Sequence, residues 1–232
     1  TVKGYEAVGL SWGKVSGASG YAVYRKTGNG SYKKIETLSG ASSTSYTDEN
    51  VDTGTKYTYK VRAYRMVDDE TVWAAYSNEV SATPTMSAPT VTLQNKTYNS
   101  VVVKWKGVSG ADGYKVARAT SQNGTYTTVK NVKDSDITTY TDTGLKVGTT
   151  YYYKVYAYRS MDDGNVKGKK SDAVSIKAVP SATTVTSEAA GITAVKLNWS
   201  KVSLPSSNSG YYVYQITNGT AKKVKTCDSS TT

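Results

Sequence analysis

The sequence predicts an all-β protein made of tandem antiparallel β-sandwiches, and three observations support this fold class. First, the 232-residue chain repeats itself, because Trp12, Trp105 and Trp199 stand 93 and 94 residues apart. That period is the length of a whole small domain. Second, each period consists of short segments of alternating apolar and polar residues, which is typical of half-buried strands. Third, no segment shows the 3.6-residue period of an amphipathic helix.

The repeated segments extend well beyond the tryptophans. LSWGKVSGASGYAVYR (10–25) returns as VKWKGVSGADGYKVAR (103–118) and again, with an insertion, as LNWSKVSLPSSNSGYYVYQ from Leu197. TGTKYTYKVRAYRMVDD (53–69) returns once, as VGTTYYYKVYAYRSMDD (147–163). The shared order of these segments divides the chain into copies of one unit.

We therefore predict three repeats. Repeat 1 covers residues 1–84, repeat 2 residues 85–179 and repeat 3 residues 180–232, with linkers near ATPTMSAP and KAVPSATT. Only 11 residues precede Trp12, so the first strand of repeat 1 is expected to be mostly missing. Repeat 3 stops beyond its TNGTAKKVKT hairpin and is expected to lack its last strands.

Within repeat 1 the alternation predicts six strands. They cover residues 7–12, 21–26, 32–37, 44–47, 56–64 and 77–82. Asn29-Gly30, Asn123-Gly124 and Asn218-Gly219 occupy one position in the three copies, and Asn-Gly favours the positive φ angles of a tight hairpin turn.

The anchors in these strands resemble those of the fibronectin type III domain, an immunoglobulin-like sandwich. They are a tryptophan on the second strand, Gly-Tyr-x-Val on the third, and Gly-Thr-x-Tyr-x-Tyr-x-Val-x-Ala on the sixth. The family usually has proline before that glycine, where Thr53 and Val147 stand here. The segment YRKTGNGSYKKI is similar to versions found in large cell-surface and secreted proteins of Gram-positive bacteria. The resemblance implies an extracellular or cell-surface location.

Alternation assigns one face of each sixth strand to the core. Tyr57 and Tyr151 each follow Gly-Thr-x and resemble the tyrosine corner of such sandwiches, in which the hydroxyl bonds back to the preceding chain. The predicted structural core contains these aromatic residues: Trp12, Tyr21, Tyr57, Tyr59, Trp105, Tyr114, Tyr151, Tyr153, Trp199 and Tyr211.

The opposite face of the sixth strand in repeat 2 is a candidate ligand face. It carries Tyr152, Lys154, Tyr156 and Tyr158, an aromatic and basic stripe suited to stacking sugars or holding an anionic polymer. The alternative is a solvated sheet face on which cross-strand pairs stabilise the sandwich, and we favour it because such sheets are normally polar outside.

Two aspartate pairs follow the same strands. Asp68-Asp69 and Asp162-Asp163 are predicted to lie at hairpin tips. Paired carboxylates on a loop suit calcium or, at a fixed separation, glycoside hydrolysis, but adjacent aspartates are also common in solvated turns. We favour the solvated turn and keep these four residues as candidate loop contacts.

Composition removes several classes of chemistry. The chain has no histidine and one cysteine, Cys227, which excludes Ser/His/Asp and Cys/His nucleophilic systems, a Cys/His zinc site and an intrachain disulfide. We expect no enzymatic activity, no metal and no cofactor. No apolar run reaches the ~20 residues of a membrane span.

The charge does not indicate nucleic-acid binding. The net charge is +11, and repeat 2 alone carries 14 cations against 7 anions. A nucleic-acid function shared by the repeats would repeat the basic face, and no specific nucleic-acid partner is expected. Attraction to anionic cell-wall polymers or acidic glycans fits this charge better.

The sequence therefore predicts non-catalytic structural or interaction modules that act as spacer or display domains of a larger extracellular protein. The alternative is a carbohydrate- or cell-wall-binding module that uses the candidate ligand face of repeat 2. Expected partners are neighbouring domains of the same polypeptide. Self-association through the incomplete end repeats is a further hypothesis, because unpaired strand edges can pair with another chain.

Overall fold

A computed structural model describes residues 1–162, 164–204 and 209–231, and all its regular elements are strands. Every strand pairing is antiparallel, and each sheet is built from strands of a single repeat. The predicted all-β sandwich class is confirmed. Within the described ranges no helix is long and apolar enough to cross a membrane.

Repeat 1 forms two sheets. One pairs β1 with β4, and the other has the order β3, β2, β5, β6, with β7 paired to β5 as well. The bounds are β1 Val8–Ser11, β2 Gly20–Thr27, β3 Lys33–Ser39, β4 Ser45–Asp48, β5 Tyr57–Val67, β6 Glu70–Trp73 and β7 Val80–Ala82.

Repeat 2 forms the same pair of sheets with one strand more. The first has the order β12, β9, β8, and the second has the order β11, β10, β13, β14, with β15 paired to β13. The bounds are β8 Val91–Thr97, β9 Ser100–Trp105, β10 Gly113–Ala119, β11 Thr127–Val132, β12 Thr139–Asp142, β13 Thr150–Met161, β14 Gly164–Lys170 and β15 Val174–Lys177.

Repeat 3 contains two hairpins in its described part. β16 (Val185–Ala189) pairs with β17 (Val195–Trp199), and β18 (Gly210–Thr217) pairs with β19 (Thr220–Asp228). Their apolar side chains are poorly covered, since Val195 is 67% and Ile216 72% exposed.

The cores of repeats 1 and 2 lie between their two sheets. In repeat 2, valines of β9 pack with Tyr114 of β10 and Tyr153 of β13, and the exposed fractions of both tyrosines are 1% or less. A smaller cluster around Val8, Val23 and Tyr59 fills repeat 1. Both cores use the face that strand alternation assigns to the interior.

The N terminus of repeat 1 folds back on β1. Val2 forms a single bridge with Val8, and the Gly9 amide donates to the Thr1 carbonyl at 2.8 Å. This short pairing takes the place beside β1 that β8 takes beside β9 in repeat 2.

The structure corrects three details of the sequence prediction. The strand predicted at residues 77–82 is confined to β7, because the Ser77 hydroxyl accepts the Val61 amide at 3.0 Å, and β6 precedes it as a strand that the prediction missed. Of the Asn-Gly pairs only Asn218-Gly219 forms a two-residue turn, with φ angles of 49° and 79°. The loops that hold the other two pairs are longer, and in the first of them Gly28 carries the positive φ.

Candidate functional site

The predicted aromatic anchors form the same contact in all three repeats. Trp12–Tyr21, Trp105–Tyr114 and Trp199–Tyr211 have ring centroids 5.6, 5.4 and 5.5 Å apart and interplanar angles of 57°, 58° and 56°. Each of these tyrosine hydroxyls accepts a backbone N–H from the loop after the tryptophan, at 2.9–3.0 Å. These rings therefore set the local geometry of the sandwich, including in the third copy.

The tyrosine corners are present as the resemblance implied. Tyr57 is 3% exposed, and its hydroxyl accepts the Asp52 amide at 3.0 Å and donates to the Asp52 carboxylate at 3.1 Å. Tyr151 is 7% exposed and accepts the Lys146 amide at 2.9 Å. Both hydroxyls are satisfied by chain five residues upstream, so burying them leaves no polar group without a partner.

A buried ion-pair network was missed at the sequence level. In repeat 2, Asp142 is 3% exposed and accepts from Arg118 Nη1 at 2.8 Å and from Tyr153 Oη at 2.9 Å. The edge strand β12 of one sheet thereby contacts β10 and β13 of the other. Burial, together with the adjacent carboxylate, raises the pKa of Tyr153 far above its usual range.

Repeat 1 contains the same network. Asp48 is 1% exposed and accepts from Arg25 Nη1 at 2.8 Å and from Tyr59 Oη at 2.9 Å. The pKa of Tyr59 is raised by burial first and by the Asp48 hydrogen bond second. The repeated Tyr-Thr-Asp of β4 and β12 was the sequence signal for it. Each of these two carboxylates already accepts hydrogen bonds from an arginine and a tyrosine. We therefore assign them a structural role.

The candidate ligand face of repeat 2 is less exposed than predicted. Tyr156 and Tyr158 are only 8% and 5% exposed, and Tyr152 and Lys154 are half-buried. Tyr158 lies across Gly113, where an added Cβ would fall 2.6 Å from the Tyr158 hydroxyl oxygen. That hydroxyl donates to the Val132 carbonyl at 3.2 Å. The expectation of exposure is wrong for these two rings, because a neighbouring glycine lets one fold flat onto the sheet.

Tyr156 is paired with a cation of the adjacent strand. The Lys170 ammonium lies 5.9 Å from its ring centroid. In repeat 1 the equivalent positions hold Arg62 and Tyr76, and the guanidinium lies 4.8 Å from that ring. The ring and the cation have exchanged sequence positions between the two repeats, and the contact is retained. Cation–aromatic pairing across the outer face is thus a shared stabilising feature of both repeats.

The corresponding face of repeat 1 exposes more aromatic surface. Arg62 lies over Trp73 at 4.0 Å and donates from Nε and Nη2 to the Tyr24 hydroxyl at 3.1 and 2.6 Å. Trp73 is 36% and Tyr76 43% exposed. Strand alternation assigns Arg62 to this outward face, but sequence reasoning missed Trp73 and Tyr76, because they come from other segments of the chain.

The aspartate pairs lie apart from both faces. Asp68 and Asp69 form the two-residue turn between β5 and β6, with φ angles of 49° and 66°, and both are exposed. Asp162 is exposed at the matching turn, and Asp163 lies outside the described residues. Across residues 1–162, 164–204 and 209–231 no three metal-ligating side chains come together.

Residues 84–173 match the family model of the fibronectin type III domain. Repeat 2 is a fibronectin type III domain. Repeat 1 has the same sheet order, the same tryptophan–tyrosine pair and the same tyrosine corner, so repeats 1 and 2 are a tandem pair of fibronectin type III domains.

The curated relatives include enzymes that are much longer than this chain. Exoglucanase B of Cellulomonas fimi is 30% identical over 229 residues, which is 90% of this chain and 20% of that protein. An amylopullulanase of Thermoanaerobacter thermohydrosulfuricus is 43% identical over 84 residues, 36% of this chain and 5% of that protein. The chain therefore spans one fifth or less of the length of these two relatives.

Among solved structures, a two-domain fibronectin type III segment of chicken tenascin is similar to this chain. It is 19% identical, with a TM-score of 0.46, over 75% of this chain and 93% of that chain.

Proposed function

We propose that this array is a non-catalytic spacer that holds other domains of an extracellular, polysaccharide-degrading protein at a set separation. The observation that carries the proposal is the ordered linker between repeats 1 and 2. Gly54 of repeat 1 donates its amide to the Pro84 carbonyl at 2.8 Å, and two residues later the Met86 carbonyl accepts the Lys169 amide of repeat 2 at 3.0 Å. A linker that is hydrogen-bonded to both repeats holds them at a set separation, whereas a flexible linker does not.

The described carboxylates favour a structural role over catalysis. The two buried ones, Asp48 and Asp142, belong to different repeats, and each already accepts from an arginine and a tyrosine. The two bacterial relatives are named as glucan-degrading enzymes, and domains of this family are generally non-catalytic modules. Insoluble glucans such as cellulose are degraded outside the cell, so we assign the array to the extracellular side.

The test is to incubate the purified chain with cellulose and with starch and to measure released reducing ends. We expect none above the buffer blank. Release that scales with protein concentration and survives further purification would contradict the spacer proposal.

A second candidate is polysaccharide binding, and the exposed rings of repeat 1 favour it. Trp73 and Tyr76 present apolar surface beside Arg62, which suits a sugar ring or an acidic glycan. The candidate ligand face of repeat 2 stays an alternative through Tyr152 and Lys154. Depletion of the chain from solution by insoluble cellulose, starch or cell wall measures binding.

The variants that locate such binding are Trp73→Ala for repeat 1 and Lys154→Ala for repeat 2. Loss of depletion with the first alone would assign binding to repeat 1, and loss with the second alone to repeat 2. Equal depletion of both variants and the parent chain would exclude both faces.

A further inference from the structure

Repeats 1 and 2 dock head to tail through a small set of side chains. Tyr5, from the turn before β1, packs on the core cluster of repeat 2. Arg159 of repeat 2 lies over its ring at 5.2 Å and pairs with Glu6 at 2.8 Å. A Cβ added at Gly110 would lie 2.5 Å from the Tyr5 ring, so this ring is seated directly on the glycine.

A second point of contact fixes the orientation. Val166 of β14 lies against Gly54, where an added Cβ would be 2.7 Å from its Cγ1. Thr53, which is 3% exposed, donates its hydroxyl to the Tyr5 carbonyl and so holds the tyrosine turn beside Gly54. We call Tyr5, Glu6 and Gly54 the docking corner, and Gly110, Arg159 and Val166 the docking seat.

Repeat 1 carries the same seat, and no other repeat packs on it within the part of the chain that the structure describes. Gly17, Arg65 and Val72 stand 93 or 94 residues before the three seat residues. Arg65 Nη1 donates to the Gly17 carbonyl at 3.2 Å, as Arg159 Nη1 does to Gly110 at 3.5 Å. Gly17 has a φ of 75° and Gly110 a φ of 79°, so the backbone of the seat is already in the docked conformation.

The side chains of this second seat are unused. Val72 is 57% exposed, whereas its counterpart Val166 is half-buried. Within the described ranges Arg65 has neither an acidic partner nor an aromatic ring beneath it. Gly17, Arg65 and Val72 are exposed and have the arrangement that binds Tyr5 and Glu6 at the docking seat of repeat 2. We therefore expect their ligand to present a tyrosine and a glutamate as well.

We propose that Gly17, Arg65 and Val72 form a docking surface for another fibronectin type III repeat that presents a Tyr-Glu docking corner. The ring would lie on Gly17 beneath Arg65, the glutamate would pair with that guanidinium, and the partner's glycine would face Val72. Repeat 3 has Leu204 at the position of Gly110, and we expect its side chain to occupy the place of the ring.

The test is a chain in which residues 1–93 are duplicated ahead of Thr1. Equivalent residues near the start of repeats 1 and 2 are 93 positions apart. A duplication of 93 residues therefore joins the linker of the added copy to the next repeat at the equivalent position. Spin labels at Ser31→Cys in both copies, with Cys227→Ser, report the distance between them. We expect one narrow distance distribution that Arg65→Ala in the receiving copy, or Tyr5→Ala in the added copy, broadens.

Matched variants separate docking from folding. Arg159→Ala should broaden the distribution between labels in repeats 1 and 2 of the parent chain, whereas Arg65→Ala there should leave it and the thermal unfolding midpoint unchanged. A broad distribution before any substitution, or one that Arg65→Ala leaves narrow, overturns the proposal. The two experiments fail separately, because reducing-end release reports catalysis whereas the distance distribution reports docking.

Discussion

Replacing Asp142 by alanine tests the buried ion-pair network. The carboxylate accepts from Tyr153 at 2.9 Å and from Arg118 at 2.8 Å. Tyr153 is fully buried, so its orphaned hydroxyl costs about 1–3 kcal/mol. The side chain of Arg118 is 30% exposed, so water replaces part of the lost ion pair. Loss of this pair therefore adds only about 1 kcal/mol to the destabilisation. We therefore expect repeat 2 to lose about 2–4 kcal/mol of stability.

Native-state amide hydrogen exchange is the suitable assay, because it reports the opening free energy of β10 and β13 separately from the other repeats. Asp172→Ala is the matched control, since it removes an exposed carboxylate from the same repeat. The double variant Asp142→Ala/Tyr153→Phe should lose less stability than the sum of the two single variants, because both substitutions remove the same hydrogen bond. If Asp142→Ala costs no more than Asp172→Ala, the network is not a source of stability.

Three other changes follow from the same contacts. Tyr57→Phe removes the corner hydroxyl and should destabilise repeat 1 by ~1 kcal/mol in urea unfolding; an unchanged midpoint would refute the corner assignment. Gly113→Ala would place a Cβ 2.2 Å from the Val132 carbonyl oxygen, so we expect a loss of about 1–3 kcal/mol, with the uncrowded Gly107→Ala near neutral as control. The raised pKa of Tyr59 keeps its hydroxyl neutral in the folded state. The unfolded chain loses this proton above about pH 10, so the stability that Tyr59 contributes is complete below that pH. Above it, we expect this stability to fall by about 1.4 kcal/mol per pH unit. Tyr59→Phe should therefore flatten the alkaline stability profile of repeat 1, and an identical slope would contradict this.

The docking of repeats has consequences for how the array responds to salt. Its charged contact, Arg159 with Glu6, is partly exposed and is therefore screened by salt. Its apolar contacts, Tyr5 on Gly110 and Val166 on Gly54, are not. The junction should accordingly keep its orientation at high ionic strength, in contrast to one held by ion pairs alone.

The aromatic content of the chain is explained by two different uses. Inward tyrosines such as Tyr57 and Tyr153 fill the cores and satisfy their hydroxyls on backbone or carboxylate. Outward rings such as Tyr76 and Tyr156 pair with cations of neighbouring strands. Tyrosine serves in both places in this chain without phenylalanine, because its ring is apolar and its hydroxyl is polar.

The sequence by itself determined the sandwich class, the repeat period and the inward aromatic residues, because strand alternation and chain order are local properties. Tyr57 at the corner and the Trp105–Tyr114 pair follow from that pattern directly. Tertiary structure decided which of the remaining side chains are exposed and unpaired and which are buried or paired. Tyr158 is buried because Gly113 stands beside it on the next strand, and Asp142 is neutralised by an arginine 24 residues away. Cross-strand register and repeat-to-repeat packing determine such neighbours, and alternation within one strand carries no record of either.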